Sequence, residues 1–246
     1  ATFMNMHPAG YARDHGDPAN PMTIRWGFKV PEIKMLNPIY ASQPNDWKVL
    51  DLIYDSLLTR NASDLGEFLP WKAKSFDVGT YVHPQYGECS KIRFTLRPDM
   101  SWSDGYAVTV ADVMFTFVEL KTILNKRGFP NPWWWSNVQN ILSFSILDPC
   151  TFEVLLDVKS YWVTGWIGGN VILPKHIWKP IAETGDPQSF APDPNLISEA
   201  AWRFAEYVEA SHVLLLANKP GRKVQTNIAG SVPITAVNGY FRYYPL

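Results

Sequence analysis

The sequence predicts an α/β protein built on mixed α+β sheets, and three observations point there. Ile92-Arg93-Phe94-Thr95-Leu96 and Thr151-Phe152-Glu153-Val154-Leu155 alternate apolar and polar side chains, the period of half-buried strands. From Val110 the residues Val110, Val113, Met114, Phe117, Leu120 and Leu124 recur at three- and four-residue spacing, which predicts an amphipathic helix. Between strand and helix, Pro98-Asp99 breaks the ladder and Trp102-Ser103-Asp104-Gly105 supplies turn chemistry. Thr109 is the expected helix cap, with Asp112 three residues on in the manner of a capping box.

Composition bounds the answer further. The 246 residues are 46% hydrophobic and 18% charged with a net charge of −1, enough for one large domain or two small ones. Near-neutral charge without a basic run argues against a nucleic-acid partner. No apolar run is long enough to span a membrane, and the first residues do not read as a signal peptide. Eleven tryptophans exceed what a core needs and suit a site that grips its ligand by stacking.

In chain order, residues 1–22 read as an irregular arm, where His7 and His15 lack further ligands for a metal. Thr23–Val30 is an expected strand ending at Pro31. Asp46–Leu58 is an expected helix, with Asp46 as cap and Val49, Leu50, Ile53, Tyr54 and Leu57 as its apolar face. Asp77–Glu88 extends a hairpin. Trp133-Trp134-Trp135 follows the long helix, and because successive side chains diverge, at least one ring must be exposed. Ile141–Ile146 and Thr151–Leu156 are strands around Leu147-Asp148-Pro149. Tyr161–Asn170 mixes aromatic residues with glycines, a composition that lets backbone approach a ligand. Arg203–Val208 and His212–Ala217 form a further hairpin, and Tyr240–Pro245 a last strand.

The stretch Leu96–Thr116 resembles the signature of the family 5 extracytoplasmic solute-binding proteins of ABC importers. Leu96, Arg97, Trp102, Asp104, Gly105, Thr109, Asp112, Val113, Phe115 and Thr116 fit the pattern, and Asp99 replaces its usual glycine. Val171-Ile172-Leu173-Pro174-Lys175-His176-Ile177-Trp178 matches a second family element nearly letter for letter, whereas Asn195–Trp202 lacks the glycines of a third. The resemblance implies a periplasmic-binding-protein-like fold of type II, with one lobe present and the second absent. Domain I would comprise 23–53 and 159–246, and domain II would be inserted at 54–158. It implies a solute cleft lined by Glu32 or Ile33, by one or two of Trp133, Trp134 and Trp135, and near Trp166 and Asn170. The plain alternatives are a solvated Glu32 beside a turn and tryptophans packed against protein. It also implies that the segments after Cys89 and Cys150 share one small sheet, so that a disulfide could join them. Such a loop would contribute about 4 kcal/mol and would signal an oxidising compartment; two free thiols are the alternative.

The function so implied is capture of a peptide-like or oligosaccharide-like ligand and its delivery to a membrane permease. The expected protein is a monomer outside the cytoplasm, without cofactor, metal or catalysis. A carbohydrate-active enzyme would need a carboxylate pair, for which Glu32, Asp104, Glu153 and Asp157 can be nominated. No nucleophile elbow, paired zinc-ligand spacing or phosphate loop accompanies them. A cell-surface module that kept the lobe and lost binding is the remaining reading. His176, standing alone, reads as a packed or surface residue rather than a base.

Overall fold

The computed structural model describes residues 22–28, 33–61, 64, 66–190, 192–208, 212–217 and 239–245. In chain order they form β1 (Met22–Phe28), α1 (Pro44–Ile53), β2 (Leu58–Arg60), β3 (Phe68–Pro70), β4 (Ala73–His83) and β5 (Gly87–Leu96). A helix in three parts follows: α2 (Val110–Met114), a π-helical turn (Phe115–Glu119) and α3 (Leu120–Arg127). Then come α4 (Trp135–Val138), β6 (Ile141–Ile146), β7 (Thr151–Leu156), α5 (Val163–Gly168) and α6 (Lys175–Thr184). The last elements are α7 (Pro192–Asn195), β8 (Trp202–Val208), β9 (His212–Ala217) and β10 (Gly239–Pro245). The chain divides into two compact units, Ala1–Tyr54 with Gln188–Leu246, and Asp55–Pro187.

In the first unit the strand order is β1-β10-β9-β8, with β1 parallel to β10 and the other pairs antiparallel. Helix α1 begins earlier than its pattern predicts. Gln43 is the cap, Pro44 takes the first helical position where its missing N–H costs nothing, and Asp46 lies within the first turn. The helix also ends earlier, at Ile53, because Tyr54 is already extended. Leu57 and Leu58 are buried in the second unit instead.

The second unit is organised on a sheet of order β4-β5-β7-β6. One face carries a row of phenylalanines, one from each strand. Phe76 stacks on Phe94 at 6.2 Å, Phe94 on Phe152 at 5.3 Å, and Phe152 on Phe144 at 4.9 Å between ring centroids. Each such pair contributes about 0.5–1.5 kcal/mol beyond the area it buries. The other face is polar, with Arg93 paired to Glu153 at 2.8 Å and the Thr95 and Thr151 hydroxyls in contact.

Strand polarity overturns the Cys89–Cys150 disulfide. β5 and β7 do share the sheet, but antiparallel, with Lys91 opposite Leu155 and Thr95 opposite Thr151. Cys150 therefore stands beside Leu96, whose N–H donates to the Cys150 carbonyl at 2.8 Å, while Cys89 lies at the opposite end of β5. The stretch from Cys89 to Leu96 spans roughly 23 Å at ~3.3 Å per residue. A disulfide tolerates at most about 7 Å between its Cα atoms. Both cysteines are free thiols.

The domain division also differs from the family-based expectation, because residues 159–187 fold with the second unit rather than with the first. The reason is a set of side chains from the signature stretch and from α3 that hold this segment. Thr116 Oγ1 accepts the Leu173 N–H at 3.0 Å, and Asp112 Oδ1 accepts the Lys175 N–H at 2.9 Å. Arg127 donates to the Ala182 and Gly185 carbonyls, both at 2.7 Å, at the C-terminal end of α6.

Candidate functional site

The loop before α1 is fixed from within. Asn37, almost wholly buried, folds its side chain onto the Ile39 N–H at 3.0 Å, and its carbonyl receives the Tyr40 and Ala41 amides. Asp46, also buried, accepts the Lys34 N–H at 2.9 Å and the Met35 N–H at 3.2 Å on one carboxylate oxygen. Burial pushes the Asp46 carboxyl above its ordinary value, against the lowering effect of the backbone amides it accepts. Tyr207 on β8 donates its hydroxyl to the Ile33 carbonyl at 3.0 Å. Of the two residues expected to face a solute, Glu32 lies outside the described residues. Ile33 is only 2% exposed, so its side chain packs inward rather than facing a solute. Lys34, Met35 and Ser42 are exposed in this loop.

The two family-like motifs meet in the second unit. The Trp102–Tyr106 turn closes through the Trp102 N–H to the Tyr106 carbonyl at 2.7 Å, with Gly105 at φ 97°, a conformation that favours glycine. This places Asp104 Oδ2 2.7 Å from His176 Nε2 and stacks the Tyr106 ring on the imidazole at 4.3 Å. Asp112 closes the helix start by accepting the Thr109 N–H at 2.8 Å and the Thr109 hydroxyl at 3.0 Å. Glu119 receives Lys175 at 2.8 Å and Lys179 at 3.6 Å. A shallow cleft of about 560 Å³ remains beside Tyr106, His176, Lys179 and Glu183. His176 is thus a packed residue held by an aspartate and two aromatic rings.

The three tryptophans diverge as the sequence requires. Trp134 is fully buried, and its indole N–H points to the Thr116 carbonyl at 3.4 Å. That carbonyl belongs to the π-helical turn Phe115–Glu119. Trp135 is half-buried under the Lys121 ammonium, 4.7 Å from its ring centroid, and burial lowers the Lys121 pKa. Trp133 is 42% exposed and lies edge-on to Trp134. Only Trp133 of the three therefore offers an open ring; Trp134 is core.

Asn170 turns inward, and Trp166 is half-buried. Asn170 is 1% exposed, its Nδ2 donating to the Trp166 carbonyl and its Oδ1 accepting from Asn137 at 3.0 Å. The glycines around them admit protein rather than ligand. A Cβ on Gly168 would clash with the Leu58 side chain, and one on Gly165 would press on Phe68. The exposed rings of this segment are Tyr161 and Trp162, at 81% and 61%. They sit on a turn pinned by Ser90 and Ser160, with Trp162 N–H donating to Ser160 Oγ at 3.1 Å. Residue type alone did not separate these two rings from Trp166. The Ser160 hydroxyl that accepts the Trp162 amide is visible in the sequence only as a turn residue.

Of the nominated carboxylates, Glu32 lies outside the described residues, and the other three are each bound to a structural partner. Asp104 serves His176, Glu153 serves Arg93, and Asp157 accepts from Asn140 at 2.7 Å. Among the described residues no three His, Cys, Asp or Glu side chains gather as a metal site. No helix among them is long and apolar enough to cross a membrane.

A family model described as bacterial extracellular solute-binding proteins, family 5 Middle, matches residues 88–226, more than half of the chain. The chain belongs to that family. No curated protein matches it in sequence. Solved structures of low identity share the periplasmic-binding-protein-like fold. One is the Campylobacter jejuni protein NikZ in complex with Ni(L-His), with TM-score 0.65 and 18% identity over 92% of this chain and 39% of that one. Another is the Bacillus subtilis oligopeptide-binding protein AppA with a nonapeptide, with TM-score 0.64 and 15% identity over 92% and 41%. A third is the Helicobacter pylori periplasmic binding protein DppA with the peptide STSA, with TM-score 0.67 and 16% identity over 96% and 44%. This family member spans about two fifths of the length of these relatives.

Proposed function

We propose that this chain is the solute-facing front part of an extracytoplasmic receptor, which captures a peptide-like solute and passes it to the permease of an ABC importer. Membership of family 5 across residues 88–226 carries the reading. Two of the three relatives above hold peptides, and the third holds a nickel–amino-acid complex. The exposed rings of Trp133, Tyr161 and Trp162 supply apolar, stackable surface of the kind such solutes use. Indole stacks on sugars as well, so an oligosaccharide is the competing solute. On this reading the receptor acts as a monomer outside the cytoplasm and performs no chemistry; the structural bonds of Asp104, Glu153 and Asp157 support it.

The test is native mass spectrometry of the protein isolated from its own cells. Short peptides released on denaturation, and saturable stabilisation by the same peptides without their turnover, are the expected result. Release of sugars alone, or hydrolysis of the added peptide, would overturn the reading.

A further inference from the structure

We propose that the cleft beside α6 binds a zwitterionic ring compound, a free aromatic amino acid, with Tyr106 as the ring platform and Lys179 and Glu183 at the charged ends. All its walls belong to the second unit, so the site is independent of the peptide-receptor reading. Its volume of about 560 Å³ suits a small molecule. His176, Lys179, Pro180 and Glu183 follow one another at i, i+3, i+4 and i+7 along α6, so one face of that helix is turned to the cleft, with Tyr106 across from it.

The platform is fixed before any ligand arrives. Tyr106 is 62% exposed, but one face of its ring stacks on the His176 imidazole at 4.3 Å, with 24° between the planes. Asp104 braces both rings: its Oδ1 accepts the Tyr106 N–H at 3.3 Å, and its Oδ2 lies 2.7 Å from His176 Nε2. A ring held in this way stacks on a planar ligand without losing rotamer freedom. The polar groups of the wall are open as well. Lys179 lies 3.6 Å from Glu119 and 3.7 Å from Glu183, both beyond hydrogen-bond length, so its N–H donors are free for a carboxylate. Pro180 has no N–H, and the His176 carbonyl one turn earlier therefore lacks its helical donor. That carbonyl and the Glu183 carboxylate are acceptors for an ammonium. A helix that merely faced water would need neither an internal proline nor a braced, exposed ring opposite it. The two signs of charge select against a simple anion, which Glu183 and Glu119 repel, and the ring selects against a small aliphatic zwitterion.

Titration calorimetry with L-phenylalanine tests this against three analogues: phenethylamine lacks the carboxylate, 3-phenylpropionate the ammonium and L-alanine the ring. The wild type should bind L-phenylalanine saturably with a dissociation constant on the order of 1 mM or below, and each analogue at least about tenfold more weakly. Tyr106→Ala and Lys179→Gln, both at exposed or half-exposed side chains that folding tolerates losing, should each weaken binding at least about tenfold, whereas Lys126→Gln on exposed α3 should leave it unchanged. Asp104 acts through the ring, so Asp104→Asn should weaken binding in the wild-type background and have no further effect in Tyr106→Ala. No saturable heat with L-phenylalanine at about 10 mM overturns the site. Binding that survives Tyr106→Ala or Lys179→Gln lies elsewhere on the chain and overturns it equally, while the peptide-receptor reading stays untouched. Binding of 3-phenylpropionate as tight as that of L-phenylalanine overturns the zwitterion, and additive losses in the Asp104→Asn, Tyr106→Ala double variant overturn the bracing role of Asp104.

Discussion

Thr116 offers the most decisive test of how the signature stretch works. It is 1% exposed, its hydroxyl donates to the Asp112 carbonyl at 2.7 Å, and it accepts the Leu173 N–H at 3.0 Å. Thr116→Val keeps the shape and removes both bonds. The Asp112 carbonyl still has the Phe115 N–H, so its loss is minor. Leu173 is fully buried, and its orphaned amide costs about 1–3 kcal/mol. The sum is about 2 kcal/mol. At roughly 2–4 °C per kcal/mol for a unit of this size, Tm should fall by about 4–8 °C. Thr116→Ser is the control: it keeps the hydroxyl, loses one methyl, and should cost about 1 kcal/mol. Urea unfolding gives both values, and amide exchange at Leu173 localises the effect. If Thr116→Val lies within about 0.5 kcal/mol of wild type, or Thr116→Ser proves the more damaging, the hydroxyl is not what holds the second motif to the first.

Three further outcomes are expected from the packing of this protein. Trp134→Ala should cost about 3–5 kcal/mol in urea unfolding because it empties a filled core site, while Trp133→Ala should cost less than about 1 kcal/mol; the reverse order would refute the assignment of the buried ring. Asp46 has a raised folded pKa, so the stability tied to it is fully present below the unfolded pKa and is lost as pH rises through the folded value. Asp46→Asn carries no such dependence and should therefore gain on wild type in Tm as pH rises from the ordinary aspartate pKa toward the raised one; a difference independent of pH would contradict this. In thiol labelling without reductant, Cys150 should react in the native protein, fully buried Cys89 should be protected, and both should react after unfolding. A single band of unreactive, cross-linked chain would show the disulfide after all.

The sequence reveals most where structure is local. The change from period two at Ile92–Leu96 to helical spacing after Val110, with a glycine turn between, is written in adjacent residues, and the strand, turn and helix appear as expected. What depends on distant partners is hidden. Asp46 carries the pattern of a cap, but the Lys34 and Met35 amides claim it. The helix from Val110 reads as continuous, but it widens at Phe115–Glu119, where the Thr116 carbonyl meets the Trp134 indole. That Cys89 and Cys150 precede partner strands is legible; that those strands run in opposite directions is not. For the same reason the divergence of three tryptophans guarantees an exposed ring, but only packing identifies it as Trp133.

The placement of 159–187 with the second unit governs where this protein can be recombined. A chimera spliced just after β7 would pair one parent's Asp112, Thr116 and Arg127 with the other parent's 173–185 segment, severing recognition among groups selected together. A junction at Pro187–Gln188 carries the whole interlocked set across intact, and there the unit becomes a transferable cassette.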